Sequence, residues 1–172
     1  MYFSKIAKFS TLFLLISIFS FSQIVFEKRP KDFSPTAEVV SCYLKKDDKL
    51  LFLKRNAQKP QGNTWGVPAG KMEKNESKED ALIREVYEET NINILNEDLE
   101  YLKTVFVKYP NFDFIFHMYI NKSSPNTDFL KINQKEHTEF KWLTIPQAKK
   151  YDLIPGEDTC LELIFNKNKK KD

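Results

Sequence analysis

The stretch GKMEKNESKEDALIREVYEETNI, from Gly70 to Ile92, decides how the rest of the chain is interpreted. Its second half places Glu85, Glu88 and Glu89 within five consecutive positions. On a helix, positions i, i+3 and i+4 share one face, with neighbouring Cβ atoms roughly 5–6 Å apart. Like charges at this spacing mildly destabilise a helix unless a cation lies among them. Either water screens these carboxylates, therefore, or a metal ion binds them.

The same stretch predicts a helix that begins after Ser77 and ends near Thr90. Ser77 with Asp80 three residues later resembles a capping box, although that motif usually has Glu or Gln at the position of Asp80. At about 100° per residue, the helix has an apolar core face and a carboxylate face on opposite sides. The predicted core face consists of Leu82, Ile83, Val86, Tyr87 and Thr90, and the other face of Ala81, Glu85, Glu88 and Glu89.

Apolar and β-branched runs on both sides of this helix predict strands. Because strands and helices mix without strict βαβ alternation, the fold class is α/β or α+β around a mixed sheet. The expected elements are a hairpin of Thr36–Lys45 and Lys49–Arg55, a loop over Asn56–Gly70, an antiparallel pair of Leu99–Tyr109 and Asn111–Asn121, a strand over His137–Ile145, a short helix at Pro146 and a closing helix from Glu157.

Length and charge restrict the functional classes. The 172 residues suit one domain with a sizeable core. The net charge of +3 is too small to indicate nucleic-acid binding, and the basic tail over residues 167–172 is typical of a solvated chain end. Cys42 and Cys160 lack a CxxC pattern, so a zinc site is not expected. Whether the two cysteines pair or stay as free buried thiols is left open.

Residues 1–26 differ in composition from the rest of the chain. Lys5 and Lys8 precede an uncharged run of 18 residues, from Phe9 to Phe26. A basic start, an apolar middle and small residues before Gln23 are typical of a signal peptide, and an uncut segment would act as a membrane anchor through residues 9–26. We therefore expect membrane association or export, with a cytoplasmic protein as the alternative. Residues 27–35 are predicted to be a linker and residues 36–166 the folded domain.

The order of residues from Gly70 to Ile92 resembles the Nudix box. That motif has fixed positions for Gly, Glu, Arg-Glu, an apolar residue, Glu-Glu, Gly and a final apolar residue. Only Asn91 departs, since it stands where the family has glycine. The box glycine ends the helix in a left-handed conformation, which asparagine tolerates better than other non-glycine residues. The resemblance extends more weakly over Thr36–Phe165 and implies a Nudix-like α/β/α sandwich around a mixed sheet.

The resemblance also implies a chemistry, which is Mg²⁺-dependent hydrolysis of a nucleoside diphosphate linked to another group, with Mn²⁺ as an alternative metal. By position, Glu85, Glu88 and Glu89 match the catalytic, metal-binding glutamates, and the Gly70 carbonyl matches a backbone metal ligand. Glu85 also matches a general base, a role that varies within the family. Glu76 and Arg84 match a pair that braces the loop against the helix.

Residues outside the box give weaker signals. Glu136 resembles an acidic position that adds a metal ligand or base in some family members, and an exposed loop glutamate is an equal alternative. Arg55 is a candidate for phosphate binding or for a plain surface role. His117, Trp65 and Phe114 are candidates for chemistry or base stacking, but residues of these types in strands are more often part of the core.

Three functions remain open at this point. The leading one is a pyrophosphohydrolase acting on a small nucleotide, either a nucleoside triphosphate, a nucleotide sugar such as ADP-ribose, or a dinucleoside polyphosphate. The others are a nucleotide-sensing module that does not cleave its ligand and an RNA 5′-end pyrophosphohydrolase. The box sets the metal and the diphosphate but not the leaving group. The oligomeric state is not indicated by the sequence.

Overall fold

The computed structural model describes residues 23–166. Eight strands, three α-helices and one short 3₁₀-helix form a single mixed sheet with helices packed on it. The strands are β1 (Val25–Phe26), β2 (Pro35–Lys46), β3 (Lys49–Arg55), β4 (Trp65–Gly66), β5 (Ala69–Lys71), β6 (Leu99–Lys108), β7 (Asp113–Asn121) and β8 (His137–Leu143). The α-helices are α1 (Lys78–Thr90), α2 (Ile145–Ala148) and α3 (Glu157–Phe165), and the 3₁₀-helix is Asn96–Asp98.

The centre of the sheet is the long strand β2. It runs parallel to β7 over nine register pairs, from Pro35↔Asp113 to Leu44↔Asn121. Strand β5 pairs antiparallel with β2 on its other side, and the end of β2 turns through Asp47 into β3. Strands β6 and β7 form the predicted antiparallel pair, and β8 pairs antiparallel with β3. The predicted hairpin, antiparallel pair and mixed sheet are therefore confirmed.

The alternation along β2 explains why both faces of the sheet are covered. Val40, Cys42 and Leu44 are buried on the face that α1 covers, whereas Tyr43 belongs to the core beneath α2 and α3. Successive strand residues point to opposite faces, so an apolar run such as this one needs a helical layer on each side. The predicted α/β/α sandwich is confirmed.

Helix α1 has the predicted ends. The Ser77 side chain accepts a hydrogen bond from the Asp80 N–H at 3.0 Å, which caps the first turn. Asn91 adopts the left-handed conformation with φ of 58°, and its N–H donates to the Tyr87 carbonyl. The asparagine side chain also donates to the Phe129 carbonyl at 3.0 Å, a contact that a glycine lacks.

The prediction of opposite core and carboxylate faces on α1 is wrong in part. Tyr87 is exposed, while Ala81 and Glu89 are buried with Leu82 and Val86. The buried face is rotated toward the glutamates, and Glu85, Glu88 and Glu89 line a cavity beside β5. Two of the box glutamates therefore lie on the border of the core instead of in bulk water.

The folded unit begins earlier than the sequence indicated. Val25 and Phe26, assigned above to the apolar N-terminal segment, form β1 and pair antiparallel with Val107 and Phe106 of β6. In the predicted linker, Phe33 is buried and packs edge-on against Phe106, with ring centroids 5.3 Å apart. One strand at the end of an apolar run, and one aromatic residue among charges, leave no periodic pattern by which to recognise them.

No helix within residues 23–166 is long and apolar enough to cross a membrane. Residues 1–22, to which the signal peptide or anchor was assigned, and the basic tail over residues 167–172 lie outside the described residues. Both cysteines are free and buried, and they belong to core clusters on opposite faces of the sheet.

The Asn91 cap gives a first prediction. Replacing Asn91 with Ala should lower the free energy of unfolding by about 1 kcal/mol, because a Cβ without a compensating polar group is strained at positive φ. Asn91→Gly is the matched control and should stay within about 0.5 kcal/mol of the wild type, since glycine removes the strain but loses the Phe129 contact. Urea unfolding of the three proteins measures both changes. Equal losses in the two variants would contradict the left-handed cap.

Candidate functional site

The Glu85 carboxylate lies directly against the backbone of Gly70. A Cβ built at Gly70 would overlap all three carboxylate atoms of Glu85, so no side chain fits at this position. Strand β5 places Gly70 opposite Val40 of β2 and packs against helix α1. Burial is the main cause that raises the pKa of Glu85 above its ordinary value, and the neighbouring Arg84 opposes the rise. A raised pKa suits a carboxylate that accepts a proton.

Arg84 ties this helix to the loop before it. Its guanidinium donates to both carboxylate oxygens of Glu76, at 2.8 and 2.9 Å, and to the Lys71 carbonyl at 3.0 Å. Its remaining nitrogen donates to Glu85 Oε1 at 2.7 Å. The hydrogen bonds from Arg84 to Glu76 lower the pKa of Glu76 to about 2. Arg84 and Glu76 thus fix the loop and one glutamate together while lying outside the cavity described below.

Glu89 is held at both carboxylate oxygens. Its Oε2 accepts the Ala69 N–H at 3.1 Å, and its Oε1 lies 2.9 Å from His137 Nε2. An ionised carboxylate only accepts, so His137 donates through Nε2 in this pair. The carboxylate is 8% exposed and is therefore oriented by the protein instead of by solvent.

His137 is a residue that the sequence reasoning did not identify. It begins β8 and lies 48 residues after Glu89, so no local spacing connects the two. Its Nδ1 atom is buried without a hydrogen-bond partner. The loop before it is tied to the end of α1, because the Asn133 N–H donates to the Glu89 carbonyl and the Lys131 N–H to the Thr90 carbonyl. The only sequence signal would have been a histidine next to the acidic candidate Glu136.

Glu88 is the most exposed box glutamate, with 56% of its side chain open to solvent. Within residues 23–166, no three His, Cys, Asp or Glu side chains stand close enough to hold a metal ion directly. Arg84 donates to Glu85, and both Ala69 and His137 donate to Glu89. The three carboxylates share one side of the helix as predicted, but they do not form a preformed cage.

One cavity of about 660 Å³ brings most of the predicted residues together. It is lined by six of them, namely Arg55, Gly70, Glu85, Glu88, Glu89 and Glu136. The Arg55 guanidinium donates through Nε to the Pro60 carbonyl at 2.9 Å, which leaves its other nitrogens for a ligand. Glu136 forms an ion pair with Lys59. This end of the cavity therefore combines several carboxylates with one arginine.

The rest of the cavity lining, its apolar end, is mainly apolar and aromatic. Its lining comes from β1, from β6 and β7, and from the loop before α3, and includes Val25, Val107, Tyr109, Phe112, Phe114 and Phe116. Phe114 contacts the rings of Tyr109, Phe112 and Phe116, with centroids 5.6 to 5.9 Å apart. Trp65 and His117, the other two weak candidates, do not line it.

Glu157, the first residue of α3, is the polar group at this apolar end. Its Oε1 atom is buried without a hydrogen-bond partner. Burial raises the pKa of Glu157 to about 7, and the nearby Tyr43 hydroxyl partly offsets the rise. The sequence placed Glu157 at the start of a helix, where a glutamate is ordinary, and gave no sign that the helix start lies inside a cavity.

Comparison with known proteins agrees with this geometry. Residues 35–164 match the NUDIX domain family. The chain is 30% identical over 135 residues to the uncharacterized Nudix hydrolase YvcI of Bacillus subtilis, covering 74% of this chain and 78% of that protein. It is 29% identical over 128 residues to the CTP pyrophosphohydrolase of Escherichia coli, covering 74% of this chain and 90% of that protein.

A solved structure supports the fold independently of close sequence similarity. The MutT protein of Methanosarcina mazei aligns with a TM-score of 0.68 at 20% identity, over 80% of this chain and 98% of its own. At this identity the likeness shows the fold alone. With the box residues, the sandwich and a family match over most of its length, the chain belongs to the Nudix hydrolases, enzymes that cleave phosphorus-containing anhydrides.

Proposed function

We propose that this chain hydrolyses a nucleoside triphosphate in a Mg²⁺-dependent reaction, with the phosphates at the carboxylate end of the cavity and the base at its apolar end. The observation that carries the proposal is the continuity of the cavity, which joins Glu85, Glu88 and Glu89 to the aromatic lining and Glu157. A volume of about 660 Å³ is in the range of small-molecule sites. The similarity to the E. coli CTP pyrophosphohydrolase supports a triphosphate substrate over a nucleotide sugar.

The residues present fit a divalent ion. Mg²⁺ takes hard oxygen ligands, keeps several waters and is commonly bound by one or two carboxylates together with substrate phosphates. Glu85 packed on Gly70 and Glu89 held at both oxygens offer two fixed carboxylates, so a direct cage of three is not required. Glu88, Glu136 and the Gly70 carbonyl complete the proposed set. The bound ion would polarise the phosphoryl group and lower the pKa of a coordinated water.

The protein's own groups have separate tasks in this proposal. Glu85, held against Gly70 beside the proposed ion, accepts the proton of the attacking water. Arg84 keeps Glu85 in place by donating a hydrogen bond to its Oε1 atom. The other two guanidinium nitrogens of Arg84 donate to Glu76. Arg55, with two guanidinium nitrogens not engaged by Pro60, binds a phosphate oxygen. Electrostatic positioning of this kind is the main contribution that a protein makes to phosphoryl transfer.

The apolar end accounts for binding of the base. Aromatic rings such as Phe114 provide flat surfaces against which a base can stack. The unpartnered Oε1 of Glu157 provides a hydrogen-bond partner for the base edge. Without such a ligand contact, a buried carboxyl oxygen of this kind costs the fold stability.

A substrate panel with glutamate variants tests the proposal. The full-length protein is incubated with Mg²⁺ and nucleoside triphosphates, ADP-ribose or a dinucleoside polyphosphate, and product release is measured by chromatography. Glu85→Gln and Glu89→Gln should each lower kcat by about 100-fold or more, because each removes an anionic ligand of the metal ion that polarises the phosphoryl group. The fold should be retained, as measured by circular dichroism.

The matched control for these variants is Glu79→Gln. It changes a glutamate of the same helix that lies outside the cavity, and an amide oxygen still accepts from the Tyr119 hydroxyl. This variant should keep wild-type kcat. Full turnover by both site variants would refute the assigned roles, and tight nucleotide binding without any turnover by the wild type would favour a sensing module.

The His137–Glu89 contact gives a further prediction. His137→Ala removes the donor to Glu89 Oε1, so affinity for Mn²⁺ in titration calorimetry should fall by about 10- to 100-fold. His137→Gln keeps an N–H donor and should lose less. If the alanine and glutamine variants bind Mn²⁺ as tightly as the wild type, the orientation of Glu89 does not depend on His137.

Glu157 predicts how stability depends on pH. A carboxyl whose pKa is higher in the folded chain than its ordinary 4.5 binds its proton more tightly when folded, so its ionisation destabilises the fold as the pH rises through about 7. Relative to Glu157→Gln, the wild type should lose about 3 kcal/mol of unfolding free energy between about pH 4 and pH 8. Urea unfolding at several pH values measures this difference. Glu162→Gln, an exposed change on the same helix, should show the wild-type pH dependence; a constant difference between wild type and Glu157→Gln would contradict the raised pKa.

A further inference from the structure

Strand β1 is part of the cavity although it lies before the region that matches the family. The match begins at residue 35, and β1 consists of Val25 and Phe26. Two backbone pairs join it to β6, and the Lys108 N–H donates to the Ile24 carbonyl at 2.8 Å. The strand is therefore an added edge of the sheet, on the same side as the apolar end of the cavity.

Val25 is the cavity-facing residue of this strand. It is 3% exposed and lies on the cavity wall beside Val107, its register partner. Phe26 follows it and does not line the cavity, as expected from the alternation of side chains along a strand. Substitutions at Val25 therefore change the cavity wall, whereas substitutions at Phe26 change the other face of the same strand.

Val25 also packs closely against the turn that precedes Glu157. Gly156 has φ of +94°, and a Cβ built there would lie 2.7 Å from Val25 Cγ2 and 3.4 Å from Ile24 Cδ1. Gly156 is the N-cap residue of α3, and its carbonyl accepts the Cys160 N–H. The close approach of β1 to this glycine therefore sets where the first residue of α3, Glu157, lies against the cavity.

We infer that β1 is the wall that sets the depth of the apolar end, and that Val25 is a specificity-determining residue for the size of the base. The inference rests on the proposed function, since it assumes that a base occupies this end. A side chain larger than valine at position 25 fills space that a purine needs and a pyrimidine needs less. A smaller one removes contacts without touching the carboxylate end. One methylene in an apolar pocket changes discrimination by about 10- to 200-fold.

The test compares purine and pyrimidine nucleoside triphosphates on the full-length protein with Mg²⁺. Val25→Leu should lower the purine-to-pyrimidine ratio of kcat/KM by about tenfold. Val25→Ala should raise KM for both classes by about fivefold while kcat changes less than about twofold, because the reacting end is unaltered. Phe26→Leu is the matched control on the other face of the strand and should keep the wild-type ratio. Thermal unfolding of each variant identifies any loss of fold.

The outcomes separate this inference from the function on which it rests. Wild-type ratios and KM values in both Val25 variants, with hydrolysis intact, would overturn the role of β1 and leave the proposed function standing. An equal change of the purine-to-pyrimidine ratio in Phe26→Leu would also overturn the role of Val25. The change would then come from a less stable strand and not from the cavity wall. A wild-type protein that neither binds nor hydrolyses any triphosphate would overturn both.

Discussion

The site depends on one close approach, between the Glu85 carboxylate and the backbone of Gly70. The carboxylate occupies the volume where any other residue would place its Cβ. At this contact, helix α1 packs against strand β5, with Glu89 buried and Glu85 half-buried. Arg84 maintains the arrangement, because its guanidinium binds Glu85, Glu76 and the loop carbonyl at Lys71 at the same time. The fixed spacing between Gly70, Glu76, Arg84 and Glu85 in the box therefore reflects contacts between the loop and the helix as well as positions on one helix face.

The two ends of the cavity are built differently. At the carboxylate end, both oxygens of Glu89 and one oxygen of Glu85 accept hydrogen bonds from the protein. At the other end, rings packed edge-on against each other form the wall, and Glu157 is the polar exception. In the proposed function, the carboxylate end holds phosphates by charge and the apolar end holds a base by shape. Such a separation of the reacting end from the end that contacts the rest of the substrate agrees with a family in which one reaction is carried out on substrates with many different leaving groups.

The sequence predicted the elements with strong local signals. The cap at Ser77, the left-handed Asn91, the hairpin and the two long strands are encoded within a few residues of where they act. What it did not predict depends on distant partners. His137 meets Glu89 across 48 residues, and Glu157 lies in a cavity only because β1 and the aromatic strands surround it. Strand β1 itself was hidden in an apolar run, where two strand residues produce no period of their own.

The attachment of the 131–137 loop to the end of α1 has a consequence for how the chain tolerates changes in length. Carbonyls of the last helical turn normally lack intrahelical partners. Here, those of Glu89 and Thr90 accept N–H groups of Asn133 and Lys131, so this loop completes the helix terminus. Inserted or deleted residues between Lys131 and His137 would break that register. Grafted peptides or labels therefore do not belong in this segment.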